Sequence, residues 1–175
     1  MQTIQQLFEI IFRRRSVSDL NYDPSIAIIG GAVLIAIGAY ANSLSGQVDS
    51  PMAMSVAQYV LNTVLLIVLL AAYSKSSRAV QVLSALYGVS ALIQVVAIGL
   101  QQINGLGILV MFLVVWNFIL SIVILREGLD TSILPPLLWT LAINGVTVMI
   151  MFALFPDFAE QVQQMVREME QARAT

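Results

Sequence analysis

Long uncharged apolar stretches, an overall scarcity of charge and an amphipathic segment at each end predict an all-α membrane protein. The expected architecture is a bundle of five transmembrane helices with amphipathic helices at both termini. Only 10% of the 175 residues are charged and 59% are hydrophobic, whereas about a quarter of a soluble domain is charged so that its surface can face water. The mean hydropathy is +0.89. Charge is also segregated: no Asp, Glu, Lys or Arg lies between Asp23 and Asp49, Asp49 and Lys75, Arg78 and Arg126, or Asp130 and Asp157. A helix crosses roughly 30 Å of hydrocarbon with about 20 apolar residues. Each gap therefore holds one crossing, and the third holds two.

The chain divides into residues 1–23, 24–156 and 157–175. In the first segment Ile4, Leu7, Phe8 and Ile11 form a helical stripe, with Gln2, Gln5, Gln6 and Glu9 elsewhere. Arg13, Arg14 and Arg15 follow as candidate contacts to anionic headgroups, so this helix is expected either in the cytoplasmic interface or docked on the bundle. A basic run ahead of an apolar run ending in Ala39-Tyr40-Ala41 resembles a signal peptide, but the lead-in is too long, so an uncleaved span is expected.

Span one covers 26–41 and opens at Asp23-Pro24-Ser25, a cap followed by a proline suited to the first turn. Span two covers 52–73, and Ser74 to Arg78 form a tight basic turn to span three at 79–100. Gln101 to Gly105 turn the chain into span four, 106–125, which makes spans three and four antiparallel neighbours. Glu127, Asp130, Thr131 and Ser132 are candidate caps and helix-dipole partners before span five, 134–155, where Pro135 and Pro136 suit the first turn. Beyond Pro156, Asp157 and Glu160 have capping-box spacing. Phe158, Val162, Met165, Val166 and Met169 give the second amphipathic stripe.

Basic residues orient the bundle. With the N-terminus cytoplasmic, the inner segments hold Arg13, Arg14, Arg15, Lys75, Arg78 and Arg126, and the outer ones only Arg167 and Arg173. The C-terminal helix is thus expected outside the cytoplasm, and the bacterial inner membrane is the expected location.

Function classes fall away in turn. A net charge of −2 gives no reason to expect nucleic acid. The chain has no Cys and no His, which removes thiolate chemistry, Cys/His metal sites and histidine acid–base catalysis; no cofactor is expected. Coupled transporters bury ionisable groups along their path, and the spans hold none. An enzyme is not expected either, because nothing near Asp49 or the pair Glu127 and Asp130 could assist catalysis.

The spans do hold amides and hydroxyls. Gln58, Asn62, Gln94, Asn117 and Asn144 are candidates for interhelical polar contacts or for a solute path. Gln58/Asn62, Asn117/Ser121 and Thr140/Asn144 each lie four apart on one helix face, with Thr147 three beyond Asn144. Such groups are costly against lipid and point inward, bonding across helices at about 0.6–2 kcal/mol each. Interhelical glue is the favoured reading of them. Gly30, Gly31, Gly38, Ser84 and Gly88 are candidates for close helix packing, as is the pair Ala32 and Ala36. No internal repeat is visible, which weakens an inverted-repeat transporter.

Two segments carry a resemblance. Asp19-Leu20-Asn21-Tyr22-Asp23-Pro24 is similar to the D-L-Y-G-P-like element before the first span of the Yip1-type membrane proteins, with Asn21 inserted and Asp23 in place of the glycine. Leu86-Tyr87-Gly88-Val89-Ser90 is similar to that family's Y-G-Y-S-like stretch, with Val89 in place of an aromatic. Over residues 19–155 the chain resembles that family in topology as well. The resemblance implies a non-enzymatic protein that organises others, as eukaryotic members do with Rab GTPases and vesicle machinery. Lacking their long cytosolic N-terminal region, this chain resembles a bacterial relative.

The function expected first is therefore an accessory or scaffold subunit that binds other membrane proteins in a complex, with the lipid bilayer as its other partner. A homo-oligomer is compatible with this. The alternative is a carrier or channel for a neutral or lipidic solute through an amide-lined interior.

Overall fold

The computed structural model describes residues 2–12, 16–17, 20, 23–45, 50–103, 105–156, 167 and 171. Arg13, Arg14, Arg15, the Asp19, Asn21 and Tyr22 positions, and nearly all of the helix expected over 157–175 lie outside these. The described residues form six α-helices and no strand: α1 (Gln2–Ile11), α2 (Pro24–Ser45), α3 (Pro51–Ala72), α4 (Ala79–Gln101), α5 (Gly107–Leu129) and α6 (Leu134–Leu154). The last five are long and apolar enough to cross a membrane, at about 1.5 Å of rise per residue. The chain is an integral membrane protein of five spans.

Helix ends follow local chemistry. The Asp23 carboxylate accepts the Ser25 N–H at 3.0 Å and also the Ser25 hydroxyl, capping α2 ahead of Pro24. α2 runs past the expected Ala41 to Ser45 because its polar residues find partners. Ser43 Oγ donates to the Tyr40 carbonyl at 2.7 Å, and Asn42 Nδ2 donates to Ser55 Oγ on α3 at 3.3 Å. After α3, Ser74 takes a left-handed conformation, φ 56°. The Lys75 N–H bonds the Leu70 carbonyl at 2.7 Å and the Ser74 N–H that of Ala71 at 2.9 Å, a Schellman turn made without glycine.

α5 likewise continues beyond the expected Leu125, to Leu129. Glu127 thus sits in the last turn of α5, not ahead of α6. Asp130 ends that helix in a left-handed conformation, φ 58° and ψ 47°, with its N–H on the Arg126 carbonyl. The cap position of α6 is Ile133, which offers no side-chain bond.

The five spans form a ring in the order α2, α3, α6, α5, α4, closed where α4 meets α2. α4 is the most enclosed: 61% of its apolar window is buried, against 17–28% for the others. α1 packs on the bundle through Leu7, Ile10 and Ile11, with Leu7 against Gly88 of α4.

The main hydrophobic core lies at the end of the ring that carries the α3–α4 turn and the α5–α6 loop. Leu70 and Val82 are fully buried there, and Leu20 and Leu129 nearly so. Toward the other end Ile108, Met111 and Phe112 of α5 are strongly exposed on the outer surface. A small second cluster, Met54 with Met151, pins α3 to α6 at that end.

Candidate functional site

Two features of the ring stand out, a close helix crossing and a polar interior. The crossing joins α2 to α4. A Cβ on Gly30 would meet the Tyr87 backbone carbon at 2.8 Å and the Gly88 nitrogen at 3.0 Å, so the two backbones touch as only small residues permit. Gly31 lies beneath the Tyr59 ring, Gly38 faces Ser55 Oγ, and Gly88 faces Leu7 and Ile26. Ser84 is fully buried and donates to the Asp23 carbonyl at 3.1 Å. Gly30, Gly31, Gly38, Ser84 and Gly88 thus fall on the faces α2 and α4 turn to their neighbours, whereas Ala32 and Ala36, also candidates for close packing, are exposed on the outer side of α2.

Above the glycines stands an aromatic pair that the sequence did not single out. Tyr59 and Tyr87 lie with ring centroids 4.8 Å apart at 46°. Thr63 donates to the Tyr59 carbonyl at 2.8 Å, which leaves the Tyr87 hydroxyl to donate to Thr63 Oγ1 at 2.7 Å. The sequence signal was the bare Gly30-Gly31 step, whose missing side chains leave room that a ring from another helix fills.

The polar interior is built by all five spans. One cavity of about 290 Å³ lies among α2, α3 and α4 and is lined by Gln58, Asn62, Tyr59, Tyr87 and Gln94. A second, of about 240 Å³, reaches α5 and α6 and is lined by Asn62, Gln94, Ser90, Ser121, Thr140 and Asn144. A third, of about 270 Å³ among α2, α4 and α5, is lined by Gln94, Asn117, Tyr40 and Gln101. Gln94 borders all three. Each of the five amides predicted from the sequence lines at least one of these cavities.

Their hydrogen bonding divides them. Asn62 accepts from Thr147 Oγ1 at 3.0 Å, tying α3 to α6. Asn117 accepts from Ser90 Oγ at 3.1 Å, tying α5 to α4. These two act as interhelical ties. Asn144 turns its Nδ2 onto the Thr140 carbonyl of its own helix at 2.7 Å, leaving Oδ1 toward the cavity side. Gln58 and Gln94 make no hydrogen bond among the described residues. Gln58 and Asn144 are exposed, and both line the cavities. An unpaired amide facing hydrocarbon would cost several kcal/mol, about 2–7, so these groups require water or a polar molecule in the space. The linings carry donors and acceptors but no carboxylate, amine or guanidinium; they can hold a neutral molecule by hydrogen bonds.

The charged groups collect at the core end. Glu127 Oε2 accepts the Ser16 hydroxyl at 2.8 Å and the Val17 N–H at 2.7 Å. Arg78 donates to the Glu127 carbonyl at 3.3 Å, and Gln81 to that of Leu20 at 3.3 Å. Ser16, Val17 and Leu20 are thereby strapped across the base of the ring, with Val17 and Leu20 buried. A lone Glu at a helix end gave no signal of this role.

Compared with protein-family models, curated proteins and solved structures, the chain matches none.

Proposed function

We propose that this is a non-enzymatic integral membrane protein whose helix bundle holds a small neutral molecule by hydrogen bonds. One observation carries the reading: Gln94, with no hydrogen-bond partner among the described residues, lines all three amide-lined cavities. Ligand sites are concave spaces with a few convergent polar groups, and drug-sized ligands take about 300–1,000 Å³. Cavities of 240–290 Å³ suit something smaller. With no ionisable side chain to carry a coupling charge, a driven transporter is disfavoured.

The experiment is native mass spectrometry of the protein released from mild detergent. The wild type is expected to retain a small-molecule adduct, and Gln94→Leu with Asn62→Leu to lose it while circular dichroism stays unchanged. Wild-type protein without an adduct, or variants that keep it, would overturn the reading.

A second reading, an accessory subunit in a membrane complex of the bacterial inner membrane, draws on the Yip1-type resemblance and on α1. Phe8 and Phe12, four apart, point away from the bundle at 48% and 66% exposure and offer an apolar contact to another protein or to the interface. Protein subunits in place of a small adduct in the same spectra would favour it.

A further inference from the structure

We infer that the polar interior is a water-filled vestibule closed at one end, so that a neutral ligand enters and leaves through the same mouth and does not pass through the bundle. The inference rests on the reading that the cavity holds such a ligand, and adds to it the route and the dead end. The mouth lies at the end opposite the α3–α4 turn. One of the three cavities reaches Tyr40 and Ala41 in the last turns of α2 and Gln101 at the end of α4, and Tyr40 and Gln101 are both exposed. Toward the opposite end the lining turns apolar, with Leu66, Leu86 and Leu125 bordering the space.

Beneath that floor the packing is continuous. Leu70 and Val82 have no exposed surface, and Leu129 has 1%. A Cβ on Gly128 would collide with the Val82 side chain, so α4 and α5 leave no gap for water. The strap closes the base from below: Val17 and Leu20 are 3% and 2% exposed and are held by Glu127 and Gln81. Interiors packed in this way hold few voids larger than a water molecule. Water in the upper space has polar partners on every helix, as a buried water requires. Below the leucines it has none.

The dead end also fixes the ligand's chemistry. A molecule that must stop at an apolar floor needs its donors and acceptors at the level of Gln58, Asn62 and Gln94, and it carries no net charge because no opposite charge meets it there. The geometry points to a small neutral solute with amide or hydroxyl groups, held with its polar atoms inward from the mouth.

The chain has no Cys, so single cysteines report water access directly. In sealed vesicles, Ser50→Cys marks the mouth end and Ser76→Cys the base end, both positions being exposed. Gln94→Cys and Gln58→Cys are expected to react with a membrane-impermeant maleimide only from the Ser50 side. Met149→Cys, 72% exposed on the lipid-facing surface, is expected to remain unlabelled. If one glutamine variant fails to fold, the other carries the test. Labelling of Gln94→Cys from both sides, or from the Ser76 side, overturns the closed base. Labelling from neither side overturns the water-filled vestibule. Retention of the small adduct in the mass spectra together with two-sided labelling would sink the dead end alone. One-sided labelling with no adduct would sink the ligand reading and leave the vestibule.

Discussion

At the scale of single residues, what matters is whether a neighbour can move. A Cβ on Gly30 would lie 2.8–2.9 Å from the backbone carbon and oxygen of Tyr87, and a helix backbone cannot rotate aside. Gly30→Ala is expected to force α2 from α4 and cost about 1–3 kcal/mol, the range for overpacking, read as a lower melting temperature in detergent. Gly99→Ala is its control: nothing lies within 4 Å of a Cβ there, so the melting point should hold. Equal losses in both variants would show that the crossing is not specially tight. Gln6 carries a cost of another kind. It is buried on the docked side of α1 with Oε1 unpartnered among the described residues, a loss of about 1–3 kcal/mol that the surrounding Leu7, Ile10 and Ile11 burial must offset. The Lys75–Asp130 pair, 3.3 Å apart with 29% and 68% exposed side chains, contributes under about 1 kcal/mol.

At the scale of elements, the strap is the connection most exposed to a single change. Glu127 ties it to α5, one carboxylate oxygen accepting from both the Ser16 hydroxyl and the Val17 N–H. Glu127→Ala strands that buried N–H at a cost of about 1–3 kcal/mol. Amide exchange at Val17 and Leu20 should then accelerate roughly tenfold or more, while exchange in α4 stays slow. Unchanged rates at those amides would mean that burial of Val17 and Leu20, not the carboxylate, holds the strap. The helix bounds show where sequence reading stops at this scale. The existence of every span was legible because hydrocarbon thickness demands a minimum apolar length. The extra turn of α2 was not, because Asn42 and Ser43 read as loop residues until Ser55 and the Tyr40 carbonyl are beside them. Glu127 and Asp130 were assigned to the start of α6 for the same reason: a carboxylate suits a helix start unless a distant segment supplies the donors.

At the scale of the whole molecule, an odd number of crossings puts the two ends of the bundle's chain on opposite sides. Basic residues prefer the cytoplasm, and Lys75, Arg78 and Arg126 all lie at the base, where α1 also docks. In a bacterial host, a fusion of alkaline phosphatase to the C-terminus should be active and a green fluorescent protein fusion dark. The reverse pattern would invert the bundle and turn the vestibule's mouth to the cytoplasm. Sequence alone determined that the chain is helical, crosses a membrane, and carries amides and small residues on otherwise uncharged apolar spans. Each of these follows from local period, run length and the cost of polar groups in lipid, which need no partner to evaluate. Only the tertiary structure decided that five amides from four helices line three neighbouring cavities, and that Asn62 and Asn117 are ties while Gln58 and Gln94 have no hydrogen-bond partner among the described residues. Those facts depend on the order of helices around the ring. Packing between segments distant in the chain sets that order, and no local pattern encodes it.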